Sequence, residues 1–108
     1  MTKDEFYNSI LTAGYPVAYL QFSQRQKAPF IVYGLPENND VYADNSRYFK
    51  VMAGWLELYS SGKPDFAGQD TIERIFETDN IPYSKENEAF LESEGLFYCR
   101  WSFELIGG

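Results

Sequence analysis

The side chains that could carry chemistry in this chain are carboxylates, tyrosines and one thiol, because the sequence contains no histidine. Without an imidazole there is no Ser-His-Asp or Cys-His site, no histidine general base and no His-containing zinc site. Glu86, Glu88, Glu92 and Glu94 crowd one stretch and could in principle supply the acid and base of a glycosidase. Their spacing instead suits an exposed acidic strand face, which discourages edge-to-edge association. Asp70 and Glu73 with Tyr83 or Tyr98 form a second conceivable constellation, but acids opposite an apolar helix stripe ordinarily face water. Glu37, Asn38, Asn39, Asp40, Asp44 and Asn45 offer oxygen ligands without the spacing of a calcium loop, and no metal site is expected. No phosphate-cradling glycine motif is present, so no nucleotide cofactor is expected either. The single cysteine, Cys99, excludes an intrachain disulfide and sits in an apolar row, as a buried inert thiol would.

The elements that must position these groups follow from patterning. The stretch Tyr48 to Tyr59 is apolar on both faces, with Tyr48, Met52, Leu56 and Leu58 on one and Phe49, Val51, Ala53, Trp55 and Tyr59 on the other. That pattern predicts an interior strand needing cover on both sides, from the chain's own helices or from another subunit. Thr2 and Glu5 form a capping box that starts a helix carrying Phe6, Ile10 and Ala13 on one face, closed by Gly14 and Pro16. Val17 to Phe22 and Phe30 to Leu35 are apolar runs joined by a polar link, which predicts a β-hairpin with a long loop. Pro36 to Arg47 is rich in turn formers and reads as an excursion, a candidate contact arm.

Asp65 is placed to cap a second helix with Ile72, Ile75 and Phe76 buried and Asp70, Glu73, Arg74 and Glu77 in water; Gly68 weakens its first turn, and Asn80 and Pro82 end it. Pro82 to Leu91 and Leu96 to Ile106 form a final strand pair turning at Gly95. In the last strand Phe97, Cys99, Trp101, Phe103 and Leu105 point to the core, and Tyr98, Arg100, Ser102 and Glu104 to a wet or shared face. The expectation is a single α+β domain over residues 1–108, a mainly antiparallel sheet of about five strands with two helices on one face.

The totals narrow the functional classes. Nine basic against sixteen acidic residues give a net charge of −7, unsuited to nucleic acid or an anionic membrane surface. No apolar run is long enough to span a bilayer, so the protein is expected in the cytosol when made. Nine Tyr, nine Phe and two Trp in 108 residues match the enrichment of protein interfaces as well as that of a bulky β core.

Four segments carry a family resemblance: the strand PFIVY (Pro29–Tyr33), the asparagine-rich loop with ADN (Ala43–Asn45), LELY (Leu56–Tyr59) leading into the helix start KPD, and the hairpin ESEGLFY (Glu92–Tyr98). Together they resemble small tail-completion proteins of long-tailed phages and of related prophages of low-GC Gram-positive bacteria. The resemblance runs from about Phe6 to Ile106 and contains no catalytic signature. It implies a non-enzymatic tail terminator or head-to-tail joining subunit that works as a homo-oligomeric ring, commonly hexameric. Such a ring caps the major tail-tube protein and docks to the head connector, in the host cytoplasm during assembly and then in the virion. The candidate contact residues are Asp40, Tyr42, Asn45 and Arg47 in the arm and Tyr98, Arg100 and Glu104 on the last strand. The alternative is a small acidic module that binds a host protein or ligand.

Overall fold

The computed structural model describes residues 1–38, 41–42 and 48–107. Its elements are α1 (Lys3–Leu11), β1 (Val17–Tyr19), β2 (Phe30–Asn38), β3 (Val41–Tyr42), β4 (Tyr48–Phe49), β5 (Val51–Ser61), α2 (Phe66–Thr78), β6 (Tyr83–Leu91) and β7 (Leu96–Ile106). Five strands form one mixed sheet in the order β1-β2-β5-β7-β6, and β3 and β4 form a separate two-stranded ribbon. The domain is α+β, and β5 occupies the interior position its two apolar faces call for.

Helix α1 begins where the capping box places it. The Thr2 hydroxyl accepts from the Glu5 amide at 3.1 Å, and the Glu5 carboxylate accepts from the Thr2 amide at 2.8 Å. These reciprocal bonds hold the Glu5 carboxyl below its ordinary range. Phe6 and Ile10 are fully buried from this helix, and Ile72 and Phe76 from α2. All four enter one core with Ile31, Tyr33, Leu56, Leu58, Cys99, Trp101, Phe103 and Leu105, so both helices lie on the same face of the sheet. Phe6 is the hub: its ring stacks on Phe103 at 4.6 Å and meets Tyr33 edge-on at 5.3 Å.

Helix α2 starts at Asp65, which does two jobs. One carboxylate oxygen accepts from the Gly68 amide at 2.9 Å, and the other accepts from the Tyr15 hydroxyl at 2.6 Å. A Cβ at position 68 would lie 2.6 Å from both the Asp65 oxygen and the Tyr15 hydroxyl. Gly68, read from the sequence as a weak point, is therefore what lets the loop before β1 tie onto the α2 cap. The helix closes at Asn80, whose φ of 55° lets the Ile81 amide reach back to the Phe76 carbonyl at 2.8 Å.

Two expectations are corrected. Val17 to Phe22 and Phe30 to Leu35 do not form a hairpin: β1 runs parallel to β2, with Val17 opposite Ile31 and Tyr19 opposite Tyr33. The cause lies at Leu20, where a φ of 68° turns the chain out of the sheet and its amide caps the Tyr33 carbonyl at 2.7 Å. The link then doubles back and re-enters the sheet in the original direction. The second correction concerns Tyr48 to Tyr59, which is not one strand. Tyr48 and Phe49 pair with β3, and the central strand begins only at Val51. Lys50 marks the break, its carbonyl accepting from the Gly107 amide at 2.8 Å beyond the end of β7.

The last hairpin agrees with the alternation read from it. Gly95 turns with φ 65°, Cys99, Trp101, Phe103 and Leu105 are buried, and Phe97 is half-buried at the end of the row. β6 is an edge strand, as β1 is at the other side, and a bulge interrupts its register with β7 between Lys85 and Asn87. The bulge and the exposed Glu86 and Glu88 make this a poor template for another strand. Among the described residues no helix is long and apolar enough to cross a membrane.

Candidate functional site

With both helices on one side, the opposite face of the sheet is covered, among the described residues, by the Leu20 to Gln26 link. Three aromatic rings stand in a row there, one from each of β2, β5 and β7. Tyr59 stacks between Phe30 at 4.9 Å and Tyr98 at 5.8 Å, following the register that sets the three opposite one another. One pleat further along, Arg100 sits opposite Glu57 and donates to its carboxylate at 2.7 Å while lying 5.0 Å over the Trp55 ring. The second Glu57 oxygen accepts from the Tyr59 hydroxyl at 2.9 Å, and burial, reinforced by that carboxylate, raises the Tyr59 phenol above its usual range. Asn87 donates to the Tyr98 hydroxyl at 3.0 Å, and Ser102 donates to Glu86. Glu57, Arg100, Tyr59, Tyr98, Asn87, Ser102 and Glu86 are thus paired with one another around half-buried aromatic rings.

At one end the face deepens into a groove of about 580 Å³, walled by Leu20, Phe22 and Arg25 of the link and floored by Phe30, Trp55 and Tyr59. Phe22 meets Phe30 edge-on at 5.5 Å, which anchors the link over the sheet.

Of the candidate contact residues, Tyr98 and Arg100 are brought together here, half-buried, within the row just described. Glu104 is exposed on the same face, opposite Ala53 toward the other end of the sheet. Tyr42 belongs to the β3–β4 ribbon, and Asp40, Asn45 and Arg47 lie outside the described residues. The sequence reading missed Phe30 and the Glu57–Arg100–Trp55 cluster. The period of two within Trp55, Glu57 and Tyr59 was a signal for one shared face, but their partners on β2 and β7 depend on register.

Of the two tyrosines considered with Asp70 and Glu73, Tyr98 lies across the sheet from both helices, whereas Tyr83 stacks on Phe76 at 5.0 Å, and desolvation together with the nearby Glu73 and Glu77 charges raises its phenol. Glu73, expected in water, is half-buried and accepts the Trp101 indole N–H at 2.9 Å, a correction caused by the indole needing a partner once inside. Glu86, Glu92 and Glu94 are exposed, and Glu88 is exposed and paired with Lys85. Among the described residues no group of acidic or thiol side chains could hold a metal ion.

Cys99 is buried on the helix side of the sheet, and burial pushes its thiol up to about 12 from an ordinary 9.0. The folded state therefore favours the neutral thiol, so its contribution to stability is complete below about pH 9 and lost as pH rises toward 12. Tyr15, desolvated and bonded to Asp65, is likewise raised to about 12 from 10.0 and adds to the same alkaline loss. We predict a melting temperature that falls progressively above pH 9, and Cys99 modification by a thiol reagent only after unfolding. Native-state modification at the rate of a free thiol would contradict this burial.

Compared with known proteins, the chain matches no protein-family model and no curated protein.

Proposed function

We propose that this protein is a structural, non-enzymatic assembly subunit: a phage tail terminator or head-to-tail joining protein that forms a homo-oligomeric ring, with a hexamer expected. The ring caps the tail tube, grips the major tail-tube protein and docks to the head connector, first in the host cytoplasm and then at the head-proximal end of the virion tail. The observation that supports an assembly role is the open sheet face, where Phe30, Trp55, Tyr59 and Tyr98 are only half-buried although both helices are already committed to the other side. Tyr, Trp and Arg are the residue types that dominate binding energy at interfaces. Because the Tyr59 and Tyr98 hydroxyls and the Arg100 guanidinium are already paired within the subunit, docking this face costs little further ordering. The identity of the partners rests on the sequence resemblance.

The test is size-exclusion chromatography with light scattering across concentration, alone and with tail-tube protein. The wild type is expected to assemble, free or on the tube, and Tyr98→Lys to weaken assembly at least tenfold while melting within a few degrees of wild type. A strict monomer that never engages the tube would remove the proposal. The alternative, a small acidic module binding a host protein or ligand, is favoured by the groove, whose volume is in the range of ligand pockets. Pulldown from host lysate separates the two, since an assembly subunit recovers virion proteins and a binding module a host protein.

A further inference from the structure

The groove on the open face continues into a second hollow of about 390 Å³, and the two share Arg25, Gln26, Glu94 and Leu96. Aromatic residues line the first, whereas Lys27, Ser61 and Gly95 join Arg25 in the second. We infer that the pair is a binding site for a small organic monoanion, with its flat apolar body in the aromatic groove and its carboxylate or sulfonate at the Arg25–Lys27 rim. This rests on the ligand-binding reading of the groove given above and does not depend on whether the chain assembles.

Charge sets the sign of the ligand. Arg25 and Lys27 are exposed, and neither forms an ion pair among the described residues. Glu57, the carboxylate on the groove floor, already has both oxygens bonded, one to Arg100 and the other to the Tyr59 hydroxyl. Among the residues lining the two hollows, Glu94 is then the acid left to oppose the two cations. Two cations against one acid leave a local excess of one positive charge, on a chain whose net charge is −7. A single negative charge placed there is balanced, and the low-dielectric rings beside it strengthen the attraction relative to open water.

The rings point the same way. An aromatic site for a cation needs an open ring face. Tyr59 has neither face open, with Phe30 stacked at 4.9 Å on one side and Tyr98 at 5.8 Å on the other. Trp55 carries Arg100 at 5.0 Å over its ring and packs on Gly34, where an added Cβ would lie 2.9 Å from the indole. What Tyr59 turns to the groove is therefore ring edge, the positive side of the aromatic quadrupole. Leu20 and Phe22 supply the apolar wall opposite, and Phe22 is held there by its edge-on contact with Phe30.

Two dyes test this on the intact, folded chain: 1-anilinonaphthalene-8-sulfonate, an aromatic monoanion, and N-phenyl-1-naphthylamine, the same frame without the charge. At low ionic strength, where exposed charges are least screened, the wild type is expected to bind the sulfonate saturably, one per chain, by fluorescence titration. Arg25→Gln with Lys27→Gln is expected to weaken the sulfonate at least fivefold and the uncharged dye less than twofold. Phe22→Ala removes the wall and is expected to weaken both at least fivefold, with each variant melting within a few degrees of wild type. No saturable binding to the wild type, or undiminished binding to Phe22→Ala, would overturn the site. Sulfonate affinity unchanged in the Arg25 and Lys27 variant, or an equal loss of both dyes from it, would overturn the anion preference while leaving the groove as a ligand site. Light scattering on the same samples reads assembly separately, so a monomer that binds the sulfonate keeps this site and loses the assembly role.

Discussion

Trp101→Ala is expected to destabilise the protein by about 4 kcal/mol, the middle of the range for emptying a fully buried aromatic site. Trp101 has no exposed surface and is the largest of the wholly buried side chains. It lies in the core beneath α2, and its indole N–H is the donor that the half-buried Glu73 carboxylate accepts at 2.9 Å. Alanine therefore leaves both a cavity and an acceptor stripped of its donor. Against a total stability of about 5–15 kcal/mol for a domain of this size, the loss leaves little folded margin. Trp101→Phe separates the two effects: it keeps most of the apolar volume and removes only the donor, so about 1–2 kcal/mol is expected. Chemical denaturation of the three proteins measures this. Equal costs for alanine and phenylalanine would show that the hydrogen bond, and not the packing, dominates at this site.

Gly54→Ala comes next, with an expected cost of about 3 kcal/mol. In most strand positions alanine in place of glycine helps, by about 0.4–1 kcal/mol, because it restricts the unfolded chain. At Gly54 the sign reverses. An added Cβ would sit 2.6 Å from the Gly34 carbonyl oxygen, 2.7 Å from Leu35 and 2.8 Å from the Phe103 ring. The first of these is backbone of the neighbouring strand, next to the register shift in β2 between Gly34 and Glu37, and cannot rotate away as a side chain could. β5 would have to move off β2 at the centre of the sheet. A denaturation midpoint equal to or above that of wild type would refute this close approach. Both substitutions act on the helix-covered core, so loss of stability in either need not alter the composition of the open face.

Much of the architecture was legible because it is local. Thr2 with Glu5, and Asp65 before α2, satisfy helix amides within three residues of themselves, so residue type and spacing suffice to place both helix starts. The alternation through β7 needs only the pleat of a strand, and it assigned Tyr98 and Arg100 to the face away from the core. The two apolar faces of β5 likewise identified an interior strand before any neighbour was known.

The remainder depended on partners distant in sequence. The apolar run from Val17 to Phe22 looks the same whether its strand returns antiparallel or parallel. The turn at Leu20 and the packing of Phe22 on Phe30 select the parallel return and so build the wall of the groove. Gly68 read as a helix weakness until Tyr15, brought in from before β1, was found against its cap. Glu73 read as solvated until Trp101 required an acceptor. The capping and pleat signals span a few residues, and for those the amino-acid sequence alone determined the outcome. The open face joins Phe30, Tyr59 and Tyr98 from three strands, and Glu57 with Arg100 from two, so only cross-strand register, set by the packing of the whole sheet against its helices, could bring them together.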